Sequence, residues 1–165
     1  GRVPGAQVLA FETTTLAAVE QAARQALGDD ATQPCYRIHR LRLADGQPVI
    51  DEQRVLLAAD CPELCAEDLG GSLYALLQDR YGLPISGAQQ ELRAEVAGSN
   101  LARRLTVAQG APIMCVVATG FVGTGQALWW ECTRYRGADY RFRLHLDGDG
   151  LRRGAGGLSP PSATP

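Results

Sequence analysis

Two arginines, Arg40 and Arg42, are the residues whose type and spacing point most directly to chemistry. They lie two apart in YRIHRLRLADGQPVIDE (36–52), a pattern that predicts a strand, a tight turn and a second strand. Residues two apart on a strand share a face and lie about 6.5–7 Å from each other. Two planar guanidinium groups at that spacing can hold one phosphate, sulfate or carboxylate. Structural ion pairs also explain such residues, so both interpretations stay open.

The strand that carries these arginines has apolar residues on both faces. Tyr36 and Ile38 share the arginine side, whereas Leu41 and Leu43 occupy the other. A strand with this pattern is expected to be covered on both sides. Guanidinium groups in a covered sheet need a partner for their charge.

The turn after this strand determines which residues lie across from the arginines. A two-residue turn pairs Arg40 with Asp51. A three-residue loop in which Gly46 is left-handed moves the register by one and brings Glu52 to the arginine side. The sequence is compatible with both turns.

Length and composition limit the classes of protein to which the chain can belong. Its 165 residues suffice for one domain with a real core, and a net charge of -2 gives no general attraction to nucleic acid or anionic lipid. No run of about 20 apolar residues is present, so no membrane helix is expected. Five cysteines, an odd number, favour reduced thiols and a cytoplasmic location.

Hydrophobic periodicity and turn residues predict the element order β, α, β–β, α, β, α, β–β–β. Hairpins outnumber crossovers in this order, which indicates an α+β fold with helices packed on an antiparallel sheet. The first helix is expected to be capped by Thr14 or Thr15, and the third by Ser99 or Asn100. YRFRLHL (140–146) is expected to form the last strand.

Three further features have both a functional and a structural interpretation. GGSLYALL starts a helix at Ser72, whose hydroxyl and free backbone N–H groups can bind an anion or only cap the helix. Trp129 and Trp130 are neighbours on a strand, so they face opposite ways, one into the core and one free to line a pocket. Cys61 and Cys65 lack the two further ligands that zinc needs, so no metal and no cofactor is expected.

Five segments, taken in order, resemble the UTRA domain, the effector-binding part of HutC-type regulators in the GntR family. They cover roughly residues 7–145 and read VLAFE, YRIHRLRLADGQPVIDE, GGSLYALLQDRYGLPI, ELRAEVAGSNLARRLTVAQGAPIM and YRGADYRF. The resemblance implies a chorismate-lyase-like fold, in which helices pack on a central antiparallel sheet. It implies a sensor of small molecules and not an enzyme.

In relatives of this family, the paired arginines hold the anionic group of the effector, which implies that role for Arg40 and Arg42. The position of Glu52 beside them then favours the three-residue turn and a positive φ at Gly46. Trp129 stands where sugar-phosphate-binding relatives commonly carry an acid, which suggests an effector with an aromatic or apolar part. The effector-binding residues implied in this way are Arg40, Arg42, Glu52, Ser72, Tyr74, Trp129 and Tyr135.

The resemblance also implies how a whole regulator is organised. Residues 1–6 are expected to end a linker from a winged helix-turn-helix domain, 7–146 to form the effector-binding domain, and 147–165 to be a disordered tail. The chain is then the sensing part of a homodimeric bacterial repressor that contacts operator DNA only through that N-terminal domain. Its expected partner is a small anionic metabolite, and no membrane partner is expected.

Three alternatives remain from the sequence. The shared fold allows a chorismate-lyase-type enzyme. A dimerisation module with a vestigial pocket is favoured if Trp129 fills that pocket as ordinary core. A redox sensor is favoured if Cys61 and Cys65 react fast with a thiol probe.

Overall fold

The computed structural model describes residues 3–142. Within them lie six strands and three α-helices: β1 (Pro4–Thr15), α1 (Gln21–Leu27), β2 (Pro34–Ala44), β3 (Gln47–Leu57), α2 (Leu73–Asp79), β4 (Ile85–Val96), α3 (Ser99–Leu105), β5 (Pro112–Val122) and β6 (Ala127–Arg136). Short 3-10 helices, Leu16–Ala18 and Ala66–Gly70, precede α1 and α2. None of the helices in residues 3–142 is long and apolar enough to cross a membrane.

The strands form one antiparallel sheet in the order β1–β2–β3–β6–β5–β4. Tight turns join β2 to β3 and β5 to β6, whereas the chain from β3 to β4 passes through α2 to the far edge. This architecture confirms the predicted α+β fold. Because β6 lies between β3 and β5, residues distant in sequence become neighbours at the centre of the sheet.

One face of the sheet is called the arginine face here because Arg40 and Arg42 belong to it. The 3-10 helix Ala66–Gly70 and α2 cover this face. Their apolar residues form one core cluster with strand residues, among them Leu69, Leu73, Leu77, Ile38, Leu56 and Trp129.

The opposite face is covered by α1 and α3. Leu27 of α1 belongs to a cluster with Val55, and Leu101 of α3 belongs to one with Leu41. Because alternate side chains of a strand point to opposite faces, a sheet covered on both sides buries apolar residues at successive positions. This explains the two apolar faces of β2.

The sequence prediction starts the first helix too early. β1 continues to Thr15, and Thr14 pairs with Cys35 of β2. Neither threonine caps α1, which begins at Gln21 after Glu20 in the N-cap position. Threonine is β-branched and favours extended backbone, and the pairing with β2 holds this segment in the strand.

Two other predictions differ from the structure or fall outside it. Gly98 occupies the N-cap position of α3, so neither Ser99 nor Asn100 caps the helix. The Asn100 side-chain oxygen accepts a hydrogen bond from Arg103 instead. Of the predicted last strand, residues 140–142 are not in a strand. Its remainder and the predicted tail lie outside the described residues.

The turn between β2 and β3 combines features of both predicted turns. Asp45 and Gly46 have φ values of 52° and 75°, as in a two-residue hairpin turn whose central residues are both left-handed. The register then shifts because β3 has one extra residue, Val49, and Arg40 lies opposite Glu52. The predicted positive φ of Gly46 is confirmed. The three-residue loop was wrong, since a β-bulge and not the turn moves the register.

On the opposite face, Asp51 links the sheet to α3. Its carboxylate is fully buried, lies 3.1 Å from His39 Nε2 and accepts a hydrogen bond from Arg104 Nε. Burial alone would raise the pKa of Asp51, but the hydrogen bonds from His39 and Arg104 hold it below its ordinary value. The ionised carboxylate is therefore the form that the fold stabilises.

Asp51→Asn is expected to destabilise the domain most near neutral pH. The folded pKa of Asp51 lies below its unfolded value of about 3.9, so its contribution is present above that pH and is lost as the pH falls below it. The difference in unfolding free energy between native and variant chains should therefore shrink from about pH 4 downwards. Urea titrations at several pH values measure it, with the exposed Asp29→Asn as control. A difference that stays constant with pH would contradict this account.

Candidate functional site

Charged residues of three neighbouring strands meet on the arginine face. The register places Glu52 of β3 between Arg40 of β2 and Thr133 of β6. Two positions further along β3, Arg54 lies opposite Glu131 of β6. These residues share one side because strand side chains alternate. The sheet order thus brings together residues that are distant in sequence, such as Arg54 and Glu131, which lie 77 positions apart.

Arg40 is almost fully buried, with a relative exposure of 1%. Its Nε and Nη2 atoms donate to Glu52 Oε2 at 2.9 and 2.6 Å. Its Nη1 atom donates to the carbonyl oxygens of Leu69 at 2.8 Å and Gly71 at 3.3 Å. These contacts satisfy most of the guanidinium donors, so Arg40 joins β2, β3 and the segment before α2 through a structural ion pair.

Glu52 bridges two buried arginines. Its Oε1 atom accepts from Arg54 Nη2 at 2.8 Å, and the same Nη2 atom donates to Glu131 Oε2. Burial alone would raise the pKa of Glu52, but Arg54 and Arg40 hold it below its ordinary value. Burial raises the pKa of Glu131 even though Arg54 opposes this. Two arginines and two carboxylates thus balance in charge, and Glu52 is the stronger acid.

Arg42 lies outside this balanced cluster. It is half-buried, and its Nη1 atom donates to the Gly71 carbonyl oxygen at 3.0 Å. That oxygen is the one that Arg40 Nη1 reaches at 3.3 Å. Within residues 3–142, no carboxylate lies at ion-pair distance from Arg42. Two guanidinium groups therefore converge on one acceptor, and Arg42 has no ion-pair partner among these residues.

Two aromatic rings contact Arg54. Its Cζ atom lies 5.3 Å from the ring centroid of Tyr74 and 5.5 Å from that of Trp129, within the range of cation–π contacts. The two rings meet edge to face at 5.2 Å. Trp129 is completely buried, whereas Tyr74 is 40% exposed. Trp129 therefore belongs to the core, and Tyr74 is the ring available to a ligand from solvent.

The two tryptophans lie on opposite faces, as predicted. Trp129 packs in the cluster beneath α2, and Trp130 packs in the cluster beneath α1. The expected contact of the Trp129 indole with an effector would first need Tyr74 to move, because no part of the indole is exposed.

The remaining predicted residues lie at the rim of the cluster. Ser72 is exposed, and its hydroxyl accepts a hydrogen bond from Ala75 N at 3.3 Å, which makes it the N-cap of α2. Tyr135 contacts the rings of Tyr140 and Phe142, and burial raises the pKa of its phenol. The structure thus brings all seven predicted residues to or beside the arginine face. Their role in binding stays a prediction.

Sequence reasoning missed Arg54, although a signal was present. Arg54 follows Glu52 by two positions on a predicted strand, so the two share a face. The pairing with Glu131 had no such signal, because it depends on β6 lying next to β3.

A family model described as the UTRA domain matches residues 1–141. The chain belongs to the UTRA family. This match confirms the resemblance carried by the five sequence segments. The curated relatives include the HTH-type transcriptional repressor NagR of Bacillus subtilis, which is 28% identical over 151 residues. That match covers 89% of this UTRA domain and 59% of NagR, so the chain spans little more than half of that relative.

Solved structures share the fold of this UTRA domain. The crystal structure of a putative transcriptional regulator from Streptomyces coelicolor is 30% identical with a TM-score of 0.73, and the match covers 86% of this chain and 92% of that one. The ligand-binding domain of a putative GntR-family regulator from Bordetella bronchiseptica has a TM-score of 0.80 at 21% identity and shows the fold alone; that match covers 89% and 91%. This UTRA domain thus has the fold of these regulator structures.

Proposed function

We propose that this UTRA domain senses a small metabolite bearing a phosphate, sulfate or carboxylate group, and that binding controls operator recognition by a winged helix-turn-helix domain of the full-length regulator. The observation that carries the proposal is the convergence of Arg40 and Arg42 on the Gly71 carbonyl oxygen. A charged oxygen is a stronger acceptor for guanidinium than a neutral carbonyl. An anion can therefore replace Gly71 at Arg42.

Arg40 and Arg42 contribute to anion binding in different ways. Arg42 supplies the uncompensated charge, and its half-buried position leaves it open to a ligand. Arg40 is held by Glu52 and contributes a fixed donor beside it. Tyr74, the exposed ring above Arg54, offers an apolar surface to the rest of the effector.

When an anion displaces the Gly71 carbonyl from Arg42, the effect of binding can reach α2. Gly71 directly precedes the Ser72 cap of α2, so moving its carbonyl moves the start of that helix. An effector shifts the regulator only if it binds the two arrangements with different affinity. A coupling of about 1–3 kcal/mol changes operator affinity roughly 5–150-fold. NagR is a transcriptional repressor, which supports a repressor that the effector would release from DNA.

The test is a thermal-shift screen with phosphosugars, phosphonates, sulfate and aromatic carboxylates. A ligand at one hundred times its Kd stabilises the native state by about 2.7 kcal/mol. In a domain of this size that stabilisation corresponds to roughly 5–10 °C in Tm. We expect a shift for one class of anion and its loss in Arg42→Gln.

Arg37→Gln is the matched control for this screen. Arg37 lies on the same strand but on the opposite face, and its contacts to Glu12 and Glu20 at 3.6 and 3.5 Å are partly exposed. Arg37→Gln removes one positive charge, as Arg42→Gln does, but on the face away from the proposed site. The ligand-induced rise in Tm should therefore persist in this variant. No shift with any anion, or equal loss in both variants, would refute the anion site.

A second candidate function is a homodimerisation module whose pocket is filled. The observation that favours it is the complete burial of Trp129 beneath Tyr74. We propose that the domain is a homodimer in either case. Size-exclusion chromatography with light scattering tests the dimer, and a dimer without any anion response would favour this second candidate over the sensor.

A further inference from the structure

Two thiols lie in contact across neighbouring strands on the opposite face of the sheet. Cys115 of β5 and Cys132 of β6 have their sulfur atoms 3.7 Å apart. The strand register pairs Cys115 with Arg134, and Val117 with Cys132, so the two cysteines form a diagonal pair. Both are free thiols. Nothing in the proposed effector site uses them.

Charged side chains from both neighbouring strands surround this pair. Arg93 of β4 and Arg134 of β6 lie directly across from Cys115. Arg93 Nη2 is 4.0 Å from the Cys115 sulfur, and Arg134 donates to Glu95 at 3.0 Å. Either sulfur can donate the hydrogen bond that joins the two thiols. This hydrogen bond and the charges of Arg134 and Arg93 lower the pKa of one sulfur of the pair, although burial opposes them. The thiolate, which is the nucleophilic form of cysteine, is thus favoured on one of the two sulfurs.

The pair is buried but lies only one side chain below solvent. Cys115 and Cys132 have relative exposures of 0% and 5%. The side chains that flank them reach the surface, since Arg93 is 49% and Arg134 25% exposed. A shift of a flexible arginine therefore opens a path for a water-sized oxidant.

We propose that Cys115 and Cys132 are a modification site, a dithiol that a hydroperoxide converts into a cross-strand disulfide. One sulfur attacks an oxygen of the hydroperoxide, an S–O bond forms as the O–O bond breaks, and the other oxygen leaves as water or an alcohol with the proton that the first thiol released. The second sulfur then attacks this sulfenic acid, the S–S bond forms, and the hydroxyl leaves with the proton of the second thiol as water. The two thiols lose two electrons, and the hydroperoxide gains them.

A disulfide between Cys115 and Cys132 would affect the arginine face by moving β6. The sulfur atoms must close from 3.7 Å to about 2.05 Å, and because the pair is offset along the strands, this closure shifts β6 along β5. Glu131 and Thr133, the neighbours of Cys132 in sequence, point to the arginine face. A diagonal pair is not the easiest geometry for a disulfide, so a thiol reductant is expected to reverse the bond readily.

The other thiols differ in ways that make them internal controls. Burial raises the pKa of Cys61 to about 12. A hydrogen bond to Asp68 raises the pKa of Cys65. Both shifts disfavour the thiolate form of Cys61 and Cys65. The redox alternative that the sequence suggested for these two thiols stays a hypothesis for the thiol probe.

Trypsin cleaves after arginine, and the positions of the arginines place the two pairs of cysteines in separate peptides. Trypsin releases residues 105–134 as one peptide that holds both Cys115 and Cys132, and residues 55–80 as one that holds Cys61 and Cys65. Folded protein is treated with hydrogen peroxide, its remaining thiols are alkylated, and the peptides are weighed. We expect peptide 105–134 to lose two hydrogens and escape alkylation, and dithiothreitol to restore both thiols. Peptide 55–80 should be alkylated twice.

Two variants, Cys115→Ser and Cys132→Ser, test the pairing of the sulfurs. Neither variant should form the disulfide. The variant that keeps the attacking sulfur should gain oxygen on it, because no second thiol resolves the sulfenic acid. Circular dichroism verifies the folding of each variant. The wild-type peptide map tests the proposal even if a variant does not fold. Alkylation of both thiols in wild-type peptide 105–134, or a disulfide that forms only in urea, would overturn the proposal.

Discussion

Glu52→Gln is expected to lower the free energy of unfolding by about 3–5 kcal/mol, because it removes the carboxylate shared by two buried arginines. Arg40 and Arg54 are 1% and 4% exposed, so neither can turn to water when the charge of Glu52 is lost. Glutamine keeps the shape and one acceptor oxygen, so the substitution removes the charge and replaces one acceptor by an amide N–H that faces an arginine. Urea-induced unfolding at pH 7 measures the loss.

Glu12→Gln serves as the control for this prediction. Glu12 lies 3.6 Å from Arg37, and its side chain is 57% exposed. An exposed pair of this kind contributes at most about 1 kcal/mol. If Glu52→Gln cost no more than Glu12→Gln, the buried charge cluster would not stabilise the fold in the way described.

The buried charge cluster of Arg40, Glu52, Arg54 and Glu131 determines which arginine can be replaced to test ligand binding. Removing Arg40 leaves Glu52 with one partner in the core and is expected to destabilise the domain strongly. A lost ligand response in Arg40→Ala would therefore not separate binding from unfolding. The Arg42 side chain hydrogen-bonds only the Gly71 carbonyl among the described residues, so its replacement tests binding with a smaller structural cost.

Gly120→Ala is expected to destabilise the domain by about 3 kcal/mol or more. Gly120 of β5 lies directly across from Trp129 of β6, and a Cβ atom at Gly120 would overlap the indole ring. The indole cannot move aside, because it is completely buried beneath Tyr74 and α2. Overpacking of a filled core commonly costs 1–3 kcal/mol, and this overlap is severe. Thermal and urea unfolding measure the effect.

A second substitution identifies the cause. Trp129→Leu combined with Gly120→Ala should cost less than the sum of the two single changes, because the smaller side chain makes room for the methyl group. Gly70→Ala is the control, since a Cβ atom there meets nothing within 4 Å. Additive costs in the double variant would show that contact with Trp129 is not the reason.

The sequence by itself determined the local features of the site. The two-residue period of a strand puts Arg40 and Arg42 on one face, and the same period puts Trp129 and Trp130 on opposite faces. The positive φ of Gly46 was predicted as part of a three-residue loop, and it also holds in the observed two-residue turn, because both turns need a left-handed residue there and glycine adopts it without a steric penalty. These predictions hold because they depend on backbone geometry within a few residues.

Only the tertiary structure decided which charges meet. The extra residue at Val49 sets Glu52 across from Arg40, and a bulge of this kind leaves no mark in the residue types. β6 enters between β3 and β5 and brings Glu131 to Arg54. Strand order depends on the packing of the whole sheet and its helices. Periodicity could therefore place each arginine on a face, but it could not show that Arg40 is already neutralised and Arg42 is not.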